Sequence, residues 1–137
     1  MTSESKKQEK KTIRVAAAVI RNGDKVFCAQ RAYGFLKGKW EFPGGKIEQG
    51  ETPEEAVVRE IKEELDTVIK VDGFFVNVKY EYSDFVLDMD CFECHVVSGR
   101  LGVEKQIHSA EKWVNPKRTK IKIWCPADRL VVAKLEQ

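Results

Sequence analysis

The stretch from Thr52 to Leu65 constrains the fold of this sequence more than any other. Thr52 and Glu55 form the Thr-x-x-Glu pattern of a capping box, and Pro53 suits the first position of a helix. Residues 56–65 contain neither glycine nor proline and are rich in good helix formers. The sequence therefore predicts an amphipathic helix that begins directly after Thr52.

The predicted helix has two different sides. At about 100° per residue, its apolar side consists of Val57, Val58, Ile61 and Leu65. A second side carries only carboxylates, namely Glu60, Glu63 and Glu64. Arg59 and Lys62 are predicted to lie outside this acidic stripe. Like charges four residues apart repel by about a few tenths of a kcal/mol per pair. Periodicity alone leaves two interpretations open, a solvated face or a set of ligands for a divalent cation.

The residues around the helix extend the acidic stripe into a longer motif. After Pro43 and Gly44, the chain reads Gly45-x5-Glu51-x7-Arg59-Glu60-Ile61-x-Glu63-Glu64. Its glycine and its charged positions resemble, at the same spacing, the signature of the Nudix hydrolase family. Residues 40–64 as a whole are similar to MutT-type members of that family.

The end of the motif departs from the family pattern. Asp66 stands where the family has a glycine, and Thr67 stands where it has an aliphatic residue. Such a glycine ends the helix in the left-handed conformation, which an aspartate adopts at about 1–2 kcal/mol of strain. The departure affects the predicted end of the helix and leaves the upstream acidic positions intact.

The rest of the sequence predicts a chain rich in strands. Alternating or continuous apolar runs predict strands at 12–20, 25–30, 40–42, 68–71, 74–82, 85–97 and 113–114. The Asn22-Gly23 pair predicts a hairpin turn, and Pro126 begins a second, terminal amphipathic helix. The pattern alone indicates an α+β or mixed α/β domain. The resemblance implies the Nudix fold, a mixed sheet sandwiched between helices.

Length and composition limit the possible classes of protein. With 137 residues, the chain is long enough for one domain, predicted over residues 12–137 after a disordered polar tail at residues 1–11. A net charge of +2 gives no reason to expect nucleic acid as a partner. No apolar run approaches the roughly 20 residues of a membrane span, and no signal peptide is recognisable. We therefore expect a cytoplasmic protein without a membrane partner.

The four cysteines are expected to be free thiols, as is usual in the cytoplasm. Cys91, Cys94 and His95 form a C-x-x-C-H sequence, which is the attachment pattern of c-type haem. The segment alternates like a strand, so Cys91 and Cys94 should point to opposite faces of a sheet. We therefore predict an ordinary strand here, with neither haem nor zinc.

The resemblance to the Nudix family implies roles for the residues of the motif. Catalysis would involve Glu51, Arg59, Glu60 and Glu63. Mg²⁺ (or Mn²⁺) would be held by Glu60, Glu63, Glu64 and the Gly45 carbonyl. The implied reaction is attack of water on a phosphoanhydride, which splits a nucleoside triphosphate into monophosphate and pyrophosphate. The partner would be a small nucleotide, and the chain a monomer or homodimer.

Other candidate residues lie outside the motif. By resemblance, Arg31 and Lys46 contact the phosphates, although ordinary surface charge explains them too. Many relatives carry a glutamate before a histidine as general base, but this chain has Ile107 in that position. The base therefore stays open between Glu104, the loop residue His108, and Glu60.

The resemblance also implies that Asp128 reads the base, because relatives that act on oxidised guanine nucleotides have an Asn or Asp at the start of the terminal helix. An ionised carboxylate accepts hydrogen bonds, so Asp128 suits guanine N1–H and N2–H₂, or the amine of cytosine. Its charge would also suit the positive end of a helix without any ligand. The sequence thus favours 8-oxo-dGTP, in sanitation of the nucleotide pool. The alternatives are CTP or dCTP, or a regulatory nucleotide-binding module with little turnover.

Overall fold

The computed structural model describes residues 10–102 and 107–137. It contains seven strands and two helices, joined by loops and one 3-10 turn at Ile121–Ile123. The strands are β1 (Lys11–Asn22), β2 (Lys25–Arg31), β3 (Trp40–Glu41), β4 (Gly44–Lys46), β5 (Val68–Glu81), β6 (Phe85–Ser98) and β7 (His108–Val114). The helices are α1 (Pro53–Leu65) and α2 (Pro126–Leu135).

The strands form one mixed sheet with the order β3-β2-β1-β6-β5, in which β4 also pairs with β1 and β7 with β2. The β1–β6 pair is parallel, and the other strand pairs are antiparallel. The mixed sheet confirms the predicted α+β class. Among the described residues, no helix is both long and apolar enough to cross a membrane.

The central strand β1 separates two apolar cores. Its residues Ala16, Ala18 and Ile20 pack on the side of α1, together with Val57, Ile61 and Leu65 of that helix. Ala17 and Val19 face the other way and pack with Trp124 and the apolar residues of α2. Because successive side chains of a strand alternate between faces, one strand serves both cores. The two helices therefore lie on opposite faces of the sheet.

The cysteines behave as the alternation predicts. Cys91 belongs to the core on the α2 side and Cys94 to the core on the α1 side, so the two thiols lie on opposite faces. All four cysteines are buried and free. Burial raises the pKa of Cys28 and of Cys94 to about 12, which favours unreactive thiols.

β5 takes one of the two predicted forms, and β7 is longer than predicted. β5 is a single strand bent by a register shift between Val71 and Gly73, where the alternation allowed one bent or two separate strands. β7 begins at His108, whereas the sequence indicated a strand only at residues 113–114. The additional residues alternate weakly, and pairing along β2 from Val26 to Arg31 holds them in the sheet.

The disordered tail was predicted for residues 1–11, of which residues 1–9 lie outside the described part. The strand β1 already begins at Lys11, one residue before the predicted domain boundary. Phe85, the first residue of β6, pairs with Lys11. The preceding Lys10 donates a hydrogen bond to Glu81, with an Nζ–Oε2 distance of 2.6 Å.

Both ends of α1 follow from the residues found there. Thr52 accepts a hydrogen bond from the Glu55 backbone N–H, and the Glu55 side chain accepts one from the Thr52 N–H. Asp66 ends the helix in the left-handed region, with φ 48° and ψ 45°. Thr67 is fully buried, and its hydroxyl donates to the Leu65 carbonyl and accepts from the Leu101 N–H. These bonds satisfy a polar group in a position where the family has an aliphatic side chain.

The left-handed conformation of Asp66 gives a stability prediction. Asp66→Gly should raise the free energy of unfolding by about 0.5–1 kcal/mol, because relief of β-carbon strain exceeds the entropy cost of glycine. The exposed ion pair with Lys62 contributes little to stability. Urea denaturation would measure the change, with Asp66→Ala as the control that keeps a β-carbon and should destabilise the fold. A loss of stability in Asp66→Gly would contradict this account of the helix end.

Candidate functional site

Arg59 connects the charged positions of the motif. Its Nε donates to Glu51 at 2.6 Å, and its Nη1 donates to Glu60 at 3.0 Å and to Glu63 at 3.1 Å. Its Nη2 also donates to the Lys46 carbonyl. The prediction that Arg59 lies outside the acidic stripe is therefore wrong, because its long side chain reaches back over the neighbouring carboxylates. Lys62, in contrast, does point away and pairs with Asp66.

Glu60 lies directly against the backbone of β4. A β-carbon on Gly45 would overlap the Glu60 carboxyl group, so a larger residue at this position would displace that carboxyl. A β-carbon on Gly44 would overlap the Ala16 carbonyl oxygen of β1. The two glycines thus allow β4 to fit between β1 and the acidic face of α1.

Glu64 holds its proton more tightly than an ordinary glutamate. Partial burial, a hydrogen bond with Glu60 and the negative charges of Glu41 and Glu63 together raise the pKa of Glu64 to about 9. Burial is the largest of these causes. The cluster therefore contains more carboxylates than its one arginine can neutralise, and a proton offsets part of the remaining repulsion.

This cluster has the donor chemistry that a hard divalent cation requires. Carboxylate and carbonyl oxygens are the ligands of Mg²⁺, and a cation would offset the same repulsion as the proton on Glu64. In residues 10–102 and 107–137, no three Asp, Glu, His or Cys side chains already converge at ligand spacing. Glu60 and Glu63 are instead turned towards Arg59. The residue types fit a cation, with rotation of these side chains.

A cavity of about 250 Å³ adjoins the acidic cluster. Gly45 and Glu64 lie at its wall, together with Arg31, His108 and Asp128. Much of the remaining wall is apolar or aromatic. The cavity thus brings Arg31, His108 and Asp128, which are distant in sequence, together with the motif. Lys46 is not part of this wall, and its side chain is exposed on β4.

Glu41 is a charged residue of this cavity that the sequence analysis did not select. Its carboxylate accepts hydrogen bonds from Arg31 Nη1 and from His108 Nε2, each at 3.0 Å. β2 lies between β3 and β7, and this pairing brings the three side chains together. The only sequence signal was a glutamate between two aromatic residues, directly before the glycine turn. Arg31, a predicted phosphate contact, also donates from Nε to the Phe35 carbonyl.

His108 is not a solvated loop residue. It begins β7, is 2% exposed, and donates to Glu41 through Nε2. Its Nδ1 is buried without a hydrogen-bond partner among the described residues. Ile107, the residue in the position of the expected glutamate, lines the cavity. Glu104, the other candidate base, lies outside the described residues.

Asp128 is buried in the first turn of α2 and lines the cavity. It is 5% exposed, and its Oδ2 accepts a hydrogen bond from the Phe42 N–H at 2.9 Å. Burial, and secondly the negative charge of Glu41, raise its pKa well above the usual value, while Arg31 acts in the opposite direction. An ionised Asp128 only accepts hydrogen bonds, as the sequence suggested. Its raised pKa extends the protonated form, which can also donate, to higher pH than in an exposed aspartate.

The raised pKa of Asp128 predicts a pH-dependent stability. A carboxyl group that holds its proton more tightly when folded stabilises the fold below its unfolded pKa of about 4, and this contribution is lost as the pH rises. Asp128→Asn cannot lose a proton and retains an oxygen for the Phe42 N–H. The variant should therefore gain stability relative to the wild type between pH 4 and pH 8. Urea denaturation at several pH values would test this, and a difference independent of pH would contradict it.

Comparison with known proteins agrees with the motif and the fold. The sequence profile of the NUDIX domain matches residues 10–136. The chain belongs to the Nudix hydrolase family. Members of this family act on small nucleotide substrates and generally use divalent metal ions.

Two relatives and one solved structure illustrate the similarity. An 8-oxo-dGTP diphosphatase of Escherichia coli is 43% identical over 76 residues, which cover 54% of this chain and 59% of the relative. A CTP pyrophosphohydrolase of Escherichia coli is 33% identical over 86% of this chain and 87% of its own length. The crystal structure of a MutT Nudix hydrolase from Burkholderia pseudomallei superposes with a TM-score of 0.83. The superposition covers 91% of this chain and 98% of the Burkholderia chain at 22% sequence identity, so it supports the fold alone.

Proposed function

We propose that this Nudix hydrolase is a Mg²⁺-dependent (or Mn²⁺-dependent) pyrophosphohydrolase of nucleoside triphosphates, with 8-oxo-dGTP as its preferred substrate. One observation carries the proposal. Glu64 of the acidic face of α1 lies at the wall of a cavity together with Gly45 and Asp128, and the Glu60 carboxyl group lies directly against Gly45. Such a cavity can accommodate the phosphates of a nucleotide near the carboxylates and its base near α2.

The residues of the motif divide into ligands and supports. Glu60, Glu63 and Glu64, with the Gly45 carbonyl, would hold the cation. When bound, the cation would offset the charge of the phosphates and lower the pKa of the attacking water. Arg59 Nη1 keeps the carboxylates of Glu60 and Glu63 close together, and these side chains would rotate from Arg59 to hold the cation. Glu51 in turn orients Arg59 through two hydrogen bonds.

The reaction requires a group that accepts a proton. Water attacks a phosphorus atom, an anhydride P–O bond breaks, and the monophosphate and pyrophosphate leave while the water loses a proton. The Nε2 of His108 is engaged by Glu41, and that histidine is 2% exposed. Arg59 Nη1 likewise engages Glu60, which is also a proposed cation ligand, so these contacts do not separate Glu60 from His108 as the acceptor.

The proposed base-reading role of Asp128 supports a guanine base. One of its oxygens accepts from the Phe42 N–H, and its carboxyl group lies at the cavity wall. In its ionised form it can accept hydrogen bonds from guanine N1–H and N2–H₂, whereas cytosine offers a single amine. The relative named an 8-oxo-dGTP diphosphatase agrees with this choice. Hydrolysis of this nucleotide would keep it out of DNA, as part of nucleotide pool sanitation and DNA repair in the cytoplasm.

CTP and dCTP are the second candidate substrates. The relative named a CTP pyrophosphohydrolase is 33% identical to this chain over 86% of its residues. In addition, the Pro126-Ala127-Asp128 sequence is similar to that of CTP-preferring members. Pyrophosphate release from a panel of nucleotides with Mg²⁺ would rank the substrates. Higher kcat/KM for CTP than for 8-oxo-dGTP would replace the first candidate by the second, and no release from any nucleotide would favour a regulatory module.

The proposed metal ligands give a prediction about activity. Glu63→Gln should lower the Mg²⁺-dependent kcat by about 100-fold or more, because a lost ligand removes several kcal/mol of charge stabilisation. The matched control is Glu54→Gln, an exposed glutamate in the first turn of the same helix. Its activity should equal that of the wild type. Near-normal Mg²⁺-dependent turnover of Glu63→Gln would exclude Glu63 as a ligand.

The proposed base contact gives a prediction about specificity. Asp128→Ala should lower kcat/KM for 8-oxo-dGTP by a factor that corresponds to about 1–3 kcal/mol of lost transition-state binding. The loss should be much smaller for a poor substrate such as dTTP, which does not depend on this contact. Steady-state kinetics with both nucleotides would measure the ratio. Equal losses for both would show that Asp128 only supports the Phe42 backbone.

A further inference from the structure

Basic side chains collect on β7, on the connection from β7 to α2, and in the loop before β3. We define the basic patch as six of these residues, namely Lys39, Lys112, Lys117, Arg118, Lys120 and Lys122. The four between residues 117 and 122 are exposed, and Lys39 and Lys112 are half-buried. Residues 112–122 contain no acidic residue. The segment therefore concentrates cations without a compensating carboxylate of its own.

Contacts around Trp40 bring the two parts of the patch together. The Lys112 Nζ lies 4.2 Å from the centroid of the Trp40 ring, in a cation–π contact. The Lys39 Nζ donates to the Lys122 carbonyl at 2.8 Å, although the two lysines are 83 residues apart in sequence. Trp40 also forms a β-bridge with Trp124, close to Lys122. Lys39, Lys112 and Lys122 are thus gathered around one tryptophan.

The connection between β7 and α2 keeps its charged side chains in solvent. The Trp124 Nε1 donates to the Thr119 hydroxyl at 2.9 Å, and the Arg118 N–H donates to the Asn115 carbonyl at 2.9 Å. Pro116 and Trp124 are buried. Because these apolar residues anchor the connection, the basic residues between them form an exposed and locally ordered surface.

The charges of the patch are not neutralised by neighbouring carboxylates. Within residues 10–102 and 107–137, none of the six basic side chains takes part in an ion pair. The chain has 24 basic and 22 acidic residues, and the 18 basic residues outside the patch leave the rest of the chain with a net charge of −4. The overall charge of +2 thus conceals a separation of charge. Self-repulsion of the clustered cations destabilises the folded chain, and an anionic partner would offset it.

We infer that the basic patch binds the phosphate backbone of nucleic acid, without preference for sequence. Lysine and arginine side chains clustered on one face neutralise phosphates and release the counterions that surround them. None of the six residues lines the cavity that contains Glu64 and Asp128, so the patch is a second site. The inference goes beyond the proposed function and does not depend on which nucleotide the cavity accepts.

The chemistry of the patch favours nucleic acid over other anionic partners. Five of its six residues are lysines, and lysine is depleted in protein–protein interfaces. A segment that lies on a membrane surface carries an apolar face beside its charges. In the connection from β7 to α2, Pro116 and Trp124 are buried and offer no such face. The patch therefore presents charge alone, as contact with phosphates requires.

Binding of a fluorescein-labelled oligo-dT, followed by fluorescence anisotropy in EDTA, tests the patch. The wild type should bind with a Kd of about 1–100 µM near physiological salt, and the logarithm of the affinity should fall linearly with that of the salt concentration. A variant with Lys117→Gln, Lys120→Gln and Lys122→Gln should bind roughly 10- to 100-fold more weakly. Its salt slope should be shallower by about 2, because each lost phosphate contact on a single strand removes about 0.7.

The matched control carries Lys62→Gln, Lys70→Gln and Lys79→Gln. It loses the same charge from exposed positions on α1 and β5, and β5 lies at the opposite edge of the sheet from β3. This variant should bind oligo-dT nearly as well as the wild type. Thermal melts would confirm that both variants are folded. If the patch variant is unfolded, Lys39→Gln combined with Arg118→Gln tests the same surface.

The outcomes separate this inference from the proposed function. Weaker oligo-dT binding in the patch variant alone, with the shallower salt slope, supports it. No oligo-dT binding by the wild type at low salt, equal losses in both variants, or tighter binding to polyglutamate or to phosphatidylserine vesicles would each overturn it. Because the assay contains neither metal nor free nucleotide, its result stands whether or not pyrophosphate release confirms the proposed hydrolysis.

Discussion

The charge balance around Arg59 is the interaction on which the rest of the site depends. One guanidinium group binds three carboxylates and a backbone carbonyl, and it thereby joins α1, β4 and the loop between them. Its hydrogen bond also holds the pKa of Glu51 below the usual value. Even so, Arg59 does not neutralise every carboxylate of the cluster, because burial and, secondly, contacts with neighbouring carboxylates raise the pKa of Glu64 to about 9. The donor types of the cluster thus fit the cation proposed above.

A second group of acidic residues, Glu41 and Asp128, lies at the wall of the cavity that Glu64 also lines. The negative charge of Glu41 contributes to the raised pKa of Asp128 and to that of Glu64, so it acts on two carboxyl groups of the cavity wall. Arg31 and His108 both donate to Glu41, and this explains how a carboxylate can be kept there. A nucleotide bound as proposed would meet Glu41 and Asp128 already held by hydrogen bonds, which lowers the cost of ordering these two side chains.

The parts predicted well from the sequence are those fixed by neighbouring residues. The helix start at Thr52 and the motif spacing depend on side chains three or four positions apart, which sequence shows directly. Glu41 and His108 become part of the cavity only because β3 and β7 pair with opposite sides of β2. Long-range pairing of this kind leaves no local pattern. The contact of Arg59 with the carboxylates follows from the family resemblance but not from helical periodicity, and the raised pKa of Asp128 depends on burial, which the sequence does not show.

The parallel pairing of β1 with β6 has a consequence for how the chain folds. Lys11 pairs with Phe85, and Ile20 with Cys94, so the middle of the sheet joins two segments far apart in sequence. The chain must lose the entropy of closing this long loop before the strand contacts can stabilise it. This cost slows the folding of sheets with non-local pairing. During synthesis, β1 has no parallel partner until β6 has left the ribosome. We therefore expect the two apolar cores to form late and together, after most of the chain has been made.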